Sequence, residues 1–184
     1  MNRKKWLPPE KWILTGIPAL FISGSILHFL YDLSGKNVIA GLFAPVNESV
    51  WEHTKMVLLP TILWWLLYYI FCKKEYYIKK SNWFEGTLAA LITALISVPA
   101  LYYFYTGAFG ASILWIDILI LLLSFSFGQL LGLHVYQYGK GRNPKTVLAI
   151  FIGILLLFAL LTFFPPKLPL FQDPGTLKLN PQQK

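Results

Sequence analysis

One cysteine, Cys72, stands among 184 residues. It excludes an intrachain disulfide and a cysteine-rich metal site. Charged side chains make up only 13% of the chain, and just eight are acidic. No long polar segment interrupts the sequence, which excludes an appended soluble domain. The net charge of +8 sits on no patterned basic face, so nucleic acid is excluded as a partner. No repeat points to an inverted-repeat transporter. The three histidines, His28, His53 and His134, form no His-Glu-x-x-His zinc motif.

Apolar residues fill the space left by charge, at 56% of the chain. They gather in five runs, Trp12–Tyr31, Val50–Phe71, Phe84–Tyr105, Ile113–Tyr138 and Val147–Phe164. Each approaches the about 17–25 residues that a helix needs to cross a bilayer. The expected fold is all-α, a polytopic membrane bundle with five transmembrane helices. It is expected as a single transmembrane domain over residues 1–184. The lipid bilayer is its first partner. The first run follows basic residues but is read as an uncleaved helix rather than a secretory signal.

Lysine and arginine set the expected orientation. Arg3, Lys4, Lys5 and Lys11 precede the first run. Lys73, Lys74, Lys79 and Lys80 fill the second connection, and Lys140, Arg142 and Lys145 the fourth. The first connection has Lys36, and the third has no basic residue. The positive-inside rule then puts the N-terminus in the cytoplasm and the C-terminus outside. Lys167, Lys178 and Lys184 dissent mildly. Localisation in the cell membrane of a bacterium follows as the simplest expectation. Trp6, Trp12, Trp51, Tyr68, Tyr69, Tyr76, Tyr77, Trp83, Tyr102, Tyr103 and Tyr105 fall near run ends, where aromatic rings anchor at headgroups.

The connections are short. Asp32 to Asn37 reads as a turn, and Val38 to Phe43 as an apolar segment too short to cross. Pro45 breaks the chain. Asn47 can cap the next helix, and Ser49 with Glu52 offers a competing capping box. In the fourth run, Ser124, Gly128 and Gly132 recur at intervals of four and predict a close helix–helix seam. Residues 165–184 form a proline-rich tail, expected to pack on the outer face as cover or as a lid. Its stiff Pro165-Pro166 start places Asp173 near the first connection.

Chemistry concentrates at the outer edge of the first two runs. His28 and Asp32 are four apart, as are Glu48 and Glu52, so each pair shares a helix face. Lys55 falls close to the second pair. His53 projects well away from the Glu48–Glu52 line and aligns with Ser49. His28, Asp32, Glu48 and Glu52 are therefore expected to converge, with Asp117 or Asp173 nearby. Ionised groups within a bilayer need pairing, hydration or a cation. Three readings remain open. In the first, Glu52 pairs with Lys55 and His28 with Asp32, while Asn47 and Ser49 cap. In the second, His28, Asp32 and Glu52 ligate a divalent metal, with Glu48 or Glu52 as base. In the third, His28 or His53 does metal-free acid–base work. Candidate catalytic residues are thus Glu48, Glu52 and His53, with Asn47, Lys55, Asp117 and Asp173 as further polar members. Gln129 and His134 lie deeper and point apart, and His134 is read as an interhelical hydrogen-bonding residue.

The run Pro45-Val46-Asn47-Glu48-Ser49-Val50-Trp51-Glu52-His53 carries a resemblance, together with His28-x-x-Tyr31-Asp32 and the tail from Pro165 to Pro174. The chain resembles a family of small multi-pass bacterial membrane proteins known as a domain of unknown function. The resemblance covers most of the chain and implies bacterial membrane residence. It implies no activity, cofactor or partner. The functional expectation is a membrane protein with an outer-leaflet His/Asp/Glu site for a cation or a polar head group. The alternatives are a metal-dependent hydrolase acting on a lipid-linked substrate, and a non-catalytic structural or solute-binding protein.

Overall fold

A computed structural model describes residues 7–73 and 78–174. Arg3, Lys4, Lys5, Trp6, Lys74, Tyr76, Tyr77, Lys178 and Lys184, and the tail beyond Pro174, lie outside the described residues. Among the described residues every regular element is helical. They are α1 (Pro8–Leu33), α2 (Val38–Phe43), α3 (Val50–His53), α4 (Lys55–Cys72), α5 (Lys80–Phe109), α6 (Leu114–Tyr138) and α7 (Pro144–Phe163), with a 3₁₀ turn at Pro169–Phe171. α3 and α4 act as one span, Val50–Cys72, so five helices are long and apolar enough to cross a membrane. Even α7, with 20 residues, reaches about 30 Å, the thickness of a hydrocarbon core.

Sequence chemistry explains the ends. Pro8 and Pro144 open α1 and α7, where a missing N–H costs nothing. Asn143 Oδ1 accepts from Lys145 N at 2.9 Å, capping α7. α5 ends on Gly110, whose φ of +69° suits glycine. Pro18, Pro60 and Pro99 each sit inside a long helix, as transmembrane helices tolerate.

α1, α4, α5 and α6 surround the core, and α7 packs against α5 and α2. The α5–α6 pair makes the most extensive contact. Its cause is the stripe of small residues. Ser124, Gly128 and Gly132 are buried on α6, and the two glycines face Gly86, Ala90 and Ala94 on α5. Outward faces are Leu and Ile, for example Ile22 and Ile26 on α1 and Leu148, Ile152, Leu156 and Leu160 on α7. Such faces suit hydrocarbon.

Several aromatics differ from the expected anchoring role. Trp83 and Trp65 are buried, and Trp83 Nε1 donates to the Trp65 carbonyl at 3.1 Å. Trp12 and Trp64 stack at 4.1 Å and donate to each other's carbonyls. Trp51 stacks on Phe158 at 4.4 Å. Two-ring packing and internal hydrogen-bond partners compete with the headgroup layer for an indole, and here the interior wins. The end of the bundle holding α1's first turn is tied by Glu10 and Glu85. Glu10 accepts from Gln137 Nε2 at 2.5 Å, and Glu85 accepts from Gly141 N at 2.8 Å.

Candidate functional site

The site lies at the other end, where α1 finishes and α3 begins. Ser49 is the N-cap of α3, with its hydroxyl accepting from Glu52 N at 3.3 Å. Asn47 does not cap the helix. Its side chain accepts from Ser49 N at 2.9 Å and shapes the turn before it. Glu48 therefore precedes the helix, and the assumed Glu48–Glu52 helical face does not form.

Glu52 is buried. Its Oε2 meets Lys55 Nζ at 2.6 Å and accepts from Val46 N at 3.0 Å. Its Oε1 accepts from Thr162 Oγ1 on α7 at 3.3 Å. Lys55, wholly buried, also donates to the carbonyls of Gly41 at 2.8 Å and Ala44 at 3.5 Å. This network fastens α2 and its loop to the bundle. Val46 N takes the carboxylate that a reciprocal capping box would have aimed at Ser49 N. With its oxygens so engaged, Glu52 does not reach the histidines. Asp32 is exposed near the end of α1 and also stays outside the cluster.

His53 instead turns toward α1. Its ring lies 5.2 Å from that of His28, centroid to centroid. His53 Nδ1 sits 2.9 Å from the Ser49 carbonyl oxygen. A carbonyl only accepts, so Nδ1 carries the proton. Neutral His53 then presents the lone pair of Nε2 to Glu48 Oε2, 3.4 Å away. Two acceptors facing each other require a positive centre, either a second imidazole proton or a cation. The Nδ1–H to backbone carbonyl bond is the usual way to orient a metal-ligating histidine. His28 adds a buried Nδ1 without a hydrogen-bond partner. One ligand atom from each of His28, Glu48 and His53 lies within 4.8 Å of the others. Both histidines are half-buried and Glu48 is exposed.

These residues open on a cavity of about 850 Å³. α1 supplies Phe21, Ser25, His28 and Phe29, and the second span Val50, His53 and Met56. α5 and α6 supply Val98, Tyr102, Asp117, Ile118 and Leu121, and the tail Asp173 and Pro174. The tail is drawn over by Phe171, whose ring lies 5.0 Å from Trp51. Asp117 accepts a hydrogen bond from the Tyr105 hydroxyl, which itself accepts from Ile113 N at 3.1 Å. Asp117 thus faces a protein partner and the cavity rather than the apolar exterior.

Away from the cavity, Gln129 is buried and accepts from Trp65 Nε1 at 3.1 Å. His134 is exposed, with its ring 5.0 Å from Tyr138, rather than bridging helices. Tyr102 and Ser112 were not candidates for the site in the sequence, though both line it. Tyr102, three residues before Tyr105 on α5, offered only a run-end position as a signal.

The sequence model of the family described as "Family of unknown function (DUF6512)" matches residues 1–179, and the chain belongs to that family. No curated protein matches the chain, and no solved structure does.

Proposed function

We propose that this family member binds a divalent cation between His28, Glu48 and His53. The carrying observation is the convergence of His53 Nε2, whose ring is oriented by the Ser49 carbonyl at Nδ1, with the Glu48 carboxylate and the unpartnered Nδ1 of His28. Imidazole nitrogen and carboxylate oxygen suit zinc and its first-row neighbours. Elemental analysis of purified protein tests this. Wild type should carry stoichiometric metal, and His28→Ala and His53→Ala should each lose it. Asp32→Asn should keep it, since Asp32 stands outside the cluster. A metal-free wild type, or equal metal in all four proteins, overturns the reading.

The site is placed at the extracytoplasmic end of the bundle, in the outer leaflet of a bacterial cell membrane. Lys79, Lys80, Lys140, Arg142 and Lys145 support this, because all lie toward the opposite end. The reading takes the chain as one transmembrane domain whose tail covers the outer face. In a Cys72→Ser background, an impermeant thiol reagent on intact cells should label Lys167→Cys and miss Lys79→Cys. The reverse pattern would invert the whole assignment.

A second reading is metal-dependent hydrolysis of a lipid-linked substrate. It is favoured by a three-residue ligand set beside a cavity, which leaves a tetrahedral cation one position for water. A cation there would supply a water acidified toward neutral pH. Abolished turnover in His28→Ala, with folding intact, is its signature.

A further inference from the structure

The cavity beside the histidines is far larger than a cation needs. A water molecule takes about 30 Å³, against about 850 Å³ here. The volume falls within the about 300–1,000 Å³ of sites that enclose organic ligands. It also runs deep. On α1 its lining extends from His28 back to Phe21, about 10 Å along the helix. On α6 it extends from Leu114 to Leu121, a similar distance in the same direction. Polarity falls along that path. His28, Glu48 and His53 stand at the end of the bundle, and Phe21, Met56, Val98 and Leu121 line the depth. Ser25, one turn below His28, donates its hydroxyl to the Phe21 carbonyl at 2.8 Å. The deep end is closed. Leu20, Ala94 and Phe125 lie further in than Phe21, Val98 and Leu121 and form buried core with them.

One side of this slot reaches the apolar exterior. Phe29 lines the cavity, is 60% exposed, and continues the outward row of Ile22 and Ile26 on α1. Leu114 and Ile118 do the same on α6, which packs beside α1. A ligand can therefore enter from the bilayer between these two helices. The polar end selects its headgroup. Two neutral imidazoles and one carboxylate leave a bound divalent cation with surplus positive charge, which an anionic oxygen satisfies.

We propose that the cavity holds a phosphate-bearing membrane lipid. Its phosphate meets the cation at His28, Glu48 and His53, and one chain lies along Phe21, Met56 and Leu121. The rest of the lipid passes out between Phe29 and Ile118. The phosphate end rests on the cation reading above, whereas the chain end stands on the depth and lining of the slot. Asp117, on the facing wall, is engaged by the Tyr105 hydroxyl and takes no part.

The test is displacement of a fluorescent lysophosphatidate from full-length, zinc-loaded protein in a phosphorus-free detergent. Unlabelled lysophosphatidate and phosphatidate should both displace it, since the second chain of phosphatidate stays outside the slot. A monoacylglycerol of the same chain lacks the phosphate and should be about tenfold weaker, the ratio that one charge-assisted contact supplies. Glycerol phosphate separates a lipid from free phosphate and should be weaker than lysophosphatidate. His53→Ala should bring lysophosphatidate down to the level of the monoacylglycerol. Ser25→Phe fills the slot and should weaken the probe about tenfold or more while metal content holds. Ile22→Phe, on the outward face of α1, should change nothing. Ile118→Trp, at the exposed rim, narrows the opening and should weaken phosphatidate even if Ser25→Phe fails to fold. Metal-loaded protein that takes lysophosphatidate and monoacylglycerol equally overturns the proposal and leaves the cation reading standing. So does glycerol phosphate matching lysophosphatidate, or full probe affinity in both Ser25→Phe and Ile118→Trp. A wild type that takes up no zinc overturns the cation reading and the phosphate end together, and Ser25→Phe then decides the slot alone.

Discussion

Lys55→Met, in a chain that keeps Glu52, should lose about 3–5 kcal/mol of stability. Both partners are buried, with 0% and 3% of their side chains exposed. Removing the ammonium leaves a carboxylate inside the protein facing Val46 N and Thr162, with no counter-charge. It also frees the carbonyls of Gly41 and Ala44, which Lys55 Nζ serves. Buried acceptors without donors cost about 1–3 kcal/mol each. The double variant Glu52→Gln/Lys55→Met removes both charges and should recover much of the loss, since buried ion pairs are nearly replaceable by neutral groups. The measurement is the unfolding midpoint of each variant in mixed detergent. A single variant as stable as wild type would show that the pair is not the clamp on α2. Metal content should follow stability here rather than fall on its own, because Glu52 does not reach His28 or His53.

The five spans were legible because lipid imposes length and apolarity on every crossing helix. The helices overhang the expected runs by a turn or so at their ends, such as Pro8 to Lys11 before Trp12 and Thr106 to Phe109 after Tyr105. The small-residue seam was also legible, because Ser124, Gly128 and Gly132 share a face at intervals of four whatever they pack against. Trp83 was not. A tryptophan near a helix end fits a headgroup layer or an interior stack equally well, and only the presence of Trp65 and Tyr68 beside it decides.

At the site, composition was legible and partnership was not. The concentration of His28, Glu48, Glu52, His53, Asp117 and Asp173 at one end of the bundle follows from their positions along the spans. Their division into two groups turns on one cap. With Ser49 as N-cap, Glu48 leaves the helix and regains His53, while Glu52 faces α7. Had Asn47 been the cap, Glu48 would have been helical and stacked with Glu52. Both caps satisfy the local rules, and the loop's tertiary contacts select between them. The outcome is mixed between the structural and functional readings. Glu52 and Lys55 pair directly, as the structural reading required. His28 remains with the cavity and with His53, as a ligand site requires.

Gly128→Val should destabilise the bundle by about 1–3 kcal/mol or more, by forcing α5 and α6 apart. A Cβ at position 128 would stand 2.6 Å from the Ala90 carbonyl oxygen. That neighbour is backbone and cannot rotate away. At position 132 a Cβ would meet Ala90 Cβ at 2.7 Å and the Gly86 carbonyl oxygen at 2.9 Å, so Gly132→Ala should act in the same direction. Gly153 on α7 is the control, since nothing lies within 4 Å of its added Cβ. Gly153→Ala should be neutral or stabilising by up to about 1 kcal/mol, from helix propensity alone. The opposite signs separate packing from propensity within one protein. Unfolding midpoints measured together in the same detergent read the difference. Equal midpoints for Gly128→Val and Gly153→Ala would mean that α5 and α6 do not pack as closely as 2.6 Å demands. A true seam has a further consequence for the cavity. Asp117 lies on the same helix, two turns before Ser124. Wedging α6 away from α5 should therefore weaken the Tyr105–Asp117 hydrogen bond, which joins the two helices, while leaving the His28, Glu48 and His53 cluster on the other wall in place.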